Sequence, residues 1–147
     1  MLTVFTITMS VFGTTMKQGD KAKKARGLVE KALVYLNTHN LEDLIKKINE
    51  KDPQFVDGEF YLFLQNFEGN TLAHGGNVKL VNRNVYRLKD PDGVYFMQEF
   101  IKTAKKSGTG WVEYRWANPV TGKIQAKNTY IARIKGKELL IGCGYYK

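Results

Sequence analysis

Between Lys17 and Leu36 the apolar positions recur at intervals of three and four residues. Ala22, Ala25, Val29, Ala32, Leu33 and Leu36 form one stripe, with Lys21, Lys24 and Lys31 elsewhere. That spacing predicts a long helix with a small, apolar face, because residues three and four apart are neighbours on a helix surface. After "NTHN" the pattern resumes with Leu41, Leu44, Ile45 and Ile48 as the inner face of a second helix. Asn40 is placed to cap it, and Glu42 and Asp43 occupy the first turn, where the helix dipole favours negative charge. Pro53 ends any helix before it.

Past Gly58 the period shortens to that of strands. "EFYLFLQ" and "TLAHG" flank the turn residues of "NFEGN", which predicts an antiparallel hairpin. A long connection from Gly75 to Ser107 contains the turn "DPDG" and then "VYFMQEFIKTAKKSG". The latter reads as a short helix with Phe96, Phe100, Ile101 and Ala104 inward and Gly108 as its stop. Three strands close the chain, over 110–117, 123–134 and 138–146, joined by "NPVTG" and "KGK". Helices, a hairpin, a helical connection and a meander make an α+β fold, in which a long N-terminal helix packs on a five-stranded antiparallel sheet. The other face is covered by loops and the short helix, and a sheet covered in this way has its natural cavity under the loops.

The first residues follow a different rule. "LTVFTITMSVFG" is apolar and uncharged, too short to span a bilayer as a helix and similar in length to the apolar region of a secretory signal. Gly13 and Thr15 supply small residues for cleavage, and only Met1 precedes the run where a basic start is usual. Residues 1–16 are therefore expected to be a truncated signal peptide and residues 17–147 the folded domain. A β-like segment packed on the fold is the other reading of this run.

Composition changes this picture little. The 147 residues, 43% hydrophobic and 25% charged, suit one soluble domain with a single sizeable core. The net charge of +9 could mean an anionic partner, but the 23 basic residues form no dense block like a nucleic-acid arm. Cys143, the one cysteine, excludes an internal disulfide and a CxxC pair, and its apolar neighbours suggest a buried thiol. No GxSxG, HExxH or phosphate-cradling glycine loop is present, and the two histidines lack metal-site spacing. Neither catalysis, nor a metal, nor a cofactor is expected. Asp90 and Asp92 in "DPDG" resemble part of a calcium loop, but no Glu closes it at the required distance, so a tight turn is the expectation.

Several segments in a fixed order carry a family resemblance: "FVDGEFYLFLQNFEGNTLAHG", "LKDPDGVYFMQEFIKTAKKSGTGWVEYRW", "NPVTGKIQAKNTYI" and "LLIGCGYYK". Over about residues 20–147 the chain resembles a single Cache domain, the PAS-like extracytoplasmic sensor module of bacterial chemoreceptors and histidine kinases. The resemblance implies a periplasmic or secreted location and a pocket on the sheet for a small molecule, commonly a carboxylate. It also implies that the long helix passes the signal onward, to a twin copy as a homodimer or to a separate signalling partner.

The candidate ligand residues come from the closing strands. Trp111, Glu113 and Arg115 share one face of their strand, and Val112, Tyr114 and Trp116 share the other. The apolar set suits the helix-facing core, so by elimination Arg115 is expected on the pocket side, where a guanidinium grips a carboxylate through two parallel hydrogen bonds. Pairing of Arg115 with Glu113 or another acid is the structural alternative. Lys127 on the adjacent strand would add a point charge, although alternation leaves open whether it or Tyr130 points the same way. His74, Tyr61 and Phe96 complete the candidate set, Phe96 with Met97 as an apolar lid; each has a plain packing or turn-capping alternative. The function expected is a ligand-binding sensor for a short organic acid, without nucleic-acid binding. The alternative is a basic module that grips nucleic acid or an anionic surface through Lys17 to Arg26.

Overall fold

The computed structural model describes residues 15–147, so the expected signal segment lies, but for its last two residues, outside the described residues. Two helices come first, α1 (Gln18–Tyr35) and α2 (Leu41–Asn49). Asn40 caps α2 as expected, its Oδ1 accepting the Asp43 amide proton at 2.8 Å. No side chain caps α1 at Lys17. Packing holds it instead, since Ala25, Val29 and Ala32 are fully buried and their small size lets the helix lie close to the sheet. Lys21 fastens its first turn, with Nζ 3.0 Å from the Tyr146 carbonyl and 3.0 Å from a Glu59 carboxylate oxygen.

Six strands follow: β1 (Val56–Asp57), β2 (Phe60–Asn66), β3 (Thr71–His74), β4 (Thr109–Ala117), β5 (Ile124–Arg133) and β6 (Leu139–Tyr146). The helix α3 (Phe96–Ser107) lies between β3 and β4 and stops at Gly108, whose φ of 74° is the left-handed conformation that glycine adopts freely. All pairings are antiparallel, in the order β3-β2-β6-β5-β4. β1 adds a sixth, two-residue strand beside the start of β2, with Val56 opposite Tyr61. The expected five-stranded sheet thus gains a stub too short for any period-two pattern to announce it.

The sheet separates two cores. On one side α1 and α2 cover Phe60, Leu62, Leu64, Ile141, Cys143 and Tyr130. On the other, α3 and the connection cover Tyr61, Phe63, Tyr114, Ile131, Leu140 and Tyr146. Both faces of the central strands are buried, which is why β2 and β6 read as nearly unbroken apolar runs. The expectation for β4 is overturned here. Val112, Tyr114 and Trp116 pack beneath α3, not against the long helix. α1 lies over β6, β5 and β2, whereas β4 is an edge strand, and its second face meets solvent.

Candidate functional site

Strand alternation on β5 puts Lys127, Thr129 and Ile131 on the α3 side and Tyr130 and Ala132 on the α1 side. Lys127 is 1% exposed, an exceptional position for a lysine. Room for it comes from β6, where Gly144 stands across the ladder from Thr129. A Cβ at Gly144 would lie 2.5 Å from Lys127 Cε and closer still to the Thr129 hydroxyl, so only glycine leaves the lysine stem its channel.

The ammonium sits among aromatic faces, 4.1 Å from the Tyr61 ring centroid, 5.1 Å from Tyr146, 5.9 Å from Phe63 and 6.0 Å from Tyr114. It donates one hydrogen bond, to the Tyr61 hydroxyl at 2.7 Å. The tyrosine protons then run away from the lysine: Tyr61 faces the Tyr146 hydroxyl at 3.1 Å, and Tyr146 donates to the Ala117 carbonyl at 2.8 Å. With Lys127 donating to it, Tyr61 donates onward. Among the described residues no carboxylate pairs with Lys127; the nearest acid in effect, Glu59, already holds Lys21. Aromatic faces and distant acids favour the charged form, yet burial outweighs them and pushes the Lys127 pKa down to about 7.

His74 lies beside this cation. Its ring is 5.0 Å from Tyr61 and 6.0 Å from Phe63, and its Nδ1 accepts the Asn77 amide proton at 2.8 Å. That bond fixes the tautomer with the proton on Nε2. Burial, and secondarily the charge of Lys127, pushes His74 down to about 3, so it is neutral at physiological pH and offers a neutral N–H donor. Gly76 follows closely because a Cβ there would strike the Tyr61 ring at 2.6 Å.

A cavity of about 20 Å³ lies between the sheet and its cover, lined by Phe63, Gln65, His74, Phe96, Phe100 and Tyr114, with Leu80 and Val85 of the connection and Trp116 completing it. Phe96 stacks on Tyr114 at 5.0 Å and meets Trp116 edge-on at 5.1 Å, which makes it part of a packed aromatic roof. Asp90 pins the connection to β4: Oδ1 accepts the amides of Asp92 and Val94, and Oδ2 accepts the Arg115 amide at 2.9 Å. Burial works to raise the Asp90 pKa, but these amides outweigh it and hold the carboxylate below its usual range. "DPDG" is a tight turn, as its sequence suggests.

Of the residues expected at the site, Lys127, Tyr61, His74 and Phe96 converge here. Arg115, Trp111 and Tyr130 do not. Arg115 is exposed on the open face of β4, and only its backbone amide is used by the cover. Glu113 is taken by Lys147 at 2.7 Å, and the acid that feels the Arg115 charge is Asp90, without a salt bridge to it among the described residues. Trp111 is 39% exposed and leans on Tyr130 and Tyr145, while Tyr130 is buried on the α1 side under the Arg26 guanidinium. The elimination that placed Arg115 inside assumed that the aromatic face of β4 meets the long helix, and it meets α3. Tyr146 and Gln65 were missed. Strand alternation from Tyr61 would have found Gln65, but nothing local marks Tyr146.

Comparison with known proteins bears on this geometry. A family model described as a Cache domain matches residues 15–147. The methyl-accepting chemotaxis protein McpP of Pseudomonas putida is 30% identical over 90 residues, covering 61% of this chain and 16% of that protein. The sensor histidine kinase MctS of Rhizobium johnstonii is 33% identical over 86 residues, covering 58% and 18%. The chain thus spans less than a fifth of the curated relatives it matches. Among solved structures, a methyl-accepting chemotaxis protein of Vibrio parahaemolyticus superposes with a TM-score of 0.75 at 18% identity, covering 87% of this chain and 89% of its own. A Cache chemosensory domain whose carboxylic acid recognition has been described structurally superposes with a TM-score of 0.72 at 22% identity, covering 89% and 99%.

Proposed function

We propose that this chain, which belongs to the Cache domain family, is an extracytoplasmic sensor domain that binds a small organic acid on the α3 side of its sheet, with Lys127 as the counter-ion. The observation that carries this reading is a fully buried ammonium with one hydrogen bond and no anion among the described residues. Removing a charge from water costs several kcal/mol, in round terms, and aromatic faces return only ~2 kcal/mol or so when desolvated. A carboxylate entering beside Nζ would supply the missing charge and accept from the two N–H groups that Tyr61 leaves free, while the His74 Nε2–H offers a third donor.

A cavity of about 20 Å³ has room for one water molecule, so an acid enters only when the cover gives way. The sheet side of the site is made of Tyr61 and Phe63 on β2 and Tyr146 on β6, grouped around Lys127 on β5. The roof, made of Leu80, Val85, Phe96 and Phe100, is the part that moves aside to admit an acid. The carboxylic acid recognition of the similar chemosensory domain is chemically compatible with this site. McpP and MctS suggest the setting, a receptor or kinase in which the domain reports ligand to an output module, and α1 is the element through which a second copy or a signalling partner would feel the change. The role is binding rather than catalysis.

Thermal melting against linear monocarboxylates, followed by calorimetry, tests the proposal. An acid at about a hundred times its Kd raises stability by roughly 2.7 kcal/mol. Lys127→Met should abolish that shift and Arg115→Ala should leave it. Acid binding that survives Lys127→Met unchanged overturns the reading.

A further inference from the structure

We propose that the far end of this pocket selects acids that carry a hydroxyl, with Gln65 and Thr71 as its specificity-determining residues. The inference rests on the acid-binding reading above and concerns what the remainder of the ligand must be. Gln65 is 4% exposed and lines the cavity. Its Nε2 donates to Thr71 Oγ1 at 3.2 Å, and its Oε1 is a buried polar atom with no partner among the described residues. Buried amides are nearly always satisfied, so an orphan beside a cavity marks the place of a group that the protein does not itself supply.

The backbone shows that this polar end is built. Between β2 and β3 the register runs Phe63 to His74 and Leu64 to Ala73, then skips to Gln65 opposite Thr71. Leu72 is the extra residue of a bulge, and it packs toward the α1 core. In an unbroken ladder Leu72 would stand opposite Gln65 on the cavity face and Thr71 would point away, because a one-residue change of register exchanges the faces. The bulge therefore replaces an apolar neighbour of Gln65 with a hydroxyl, and both side chains are buried. Gln65 follows Tyr61 and Phe63 on one face of β2, and the Phe63 ring that lines the cavity with Gln65 lies 5.9 Å from the Lys127 ammonium, so Phe63 connects the lysine to the amide.

A hydroxyl fits this end better than other groups. It donates and accepts at once, so it meets the Gln65 carbonyl oxygen and the Gln65–Thr71 pair together, standing where a single water would stand in the closed cavity. A methyl group at that position leaves the amide desolvated and unpaired. Sites built to hydrogen-bond a hydroxyl reject analogues that lack it, and here roughly ten- to a hundredfold is expected.

The test pairs acids of equal size: 4-hydroxybutanoate against pentanoate, and 3-hydroxybutanoate against 3-methylbutanoate, titrated calorimetrically into the full chain, Gln65→Leu and Lys127→Met. The expected result is that one hydroxy acid binds the native chain at least about tenfold tighter than its alkyl twin. In Gln65→Leu that preference disappears, alkyl acids bind as well or better, and the ligand-free protein melts no lower than the native one. Equal binding of each pair by the native chain, or a preference that persists in Gln65→Leu, overturns the selectivity while leaving acid binding intact. If neither pair binds and Lys127→Met changes nothing, the acid-binding reading falls and this inference with it. Should Gln65→Leu not fold, the native comparison and Thr71→Val decide the matter.

Discussion

Lys127 is a residue held between opposing effects, and its titration makes both measurable. Its ordinary pKa of 10.5 applies to the unfolded chain, and in the fold burial brings it to about 7. Above about pH 7 the native state has released a proton that the unfolded state keeps, so stability should rise with pH between about 7 and 10.5. Below about pH 7 both states carry the proton and the full cost of the buried charge is present. Urea melts across this range check the sign. Lys127→Met should flatten that segment and stabilise the ligand-free protein by about 1–4 kcal/mol, even as it loses the acid. Binding runs the opposite way. A bound carboxylate restores the ammonium, so above about pH 7 the Kd for the acid should rise about tenfold per pH unit, with uptake of up to one proton seen as a buffer-dependent heat. Gly144→Ala should weaken the acid without touching it, because the new methyl displaces the lysine stem.

At the scale of elements, the informative contrast is between those defined by local pattern and those defined by what they pack against. The stripe of Ala25, Val29 and Ala32, the Asn40 cap and the Gly108 stop all act within a few residues, and the helices fall where the pattern puts them. β4 alternates cleanly, so its two faces were legible, but which face meets which layer was not. Long-range contacts with α3 settle that, and no residue of β4 encodes them singly. The bulge at Leu72 was invisible for the same reason, since it exists only relative to β2. The connection gains its order from Asp90. Asp90→Ala should cost about 2–4 kcal/mol by freeing three amides, and amide exchange should quicken at Arg115 and Val94 first. Phe100→Ala, which empties the roof, should cost about 3–5 kcal/mol and is best read against Val85→Ala, a smaller loss at the same cover.

For the molecule as a whole, two cores share one sheet, and charge is arranged around them without a single basic block. Among the described residues Lys21, Lys24, Lys47 and Lys147 each pair with an acid from elsewhere in the chain. Such pairs at the surface, two of them half-buried, contribute little individually, and they spread the excess of +9 over the molecule. A chain organised in this way should elute early from heparin at about 0.15 M salt, with a shallow salt dependence, whereas a true phosphate binder would be retained with a steep one. Early elution together with a saturating acid response separates the sensor reading from the basic-module alternative.

The amino-acid sequence alone determined the α+β class, the order of the elements and the burial of Cys143, because helix period, strand alternation, caps and glycine stops are properties of neighbours along the chain. It also supplied Lys127, Tyr61, His74 and Phe96 as candidates. Only the tertiary structure decided that Lys127 lies inside and Arg115 outside, that Tyr146 stands beside Lys127, and that Thr71 replaces Leu72 opposite Gln65. Those choices depend on which layer covers each face of the sheet and on a register shift between strands, and alternation is blind to both: it says that two faces differ without saying what lies beyond either.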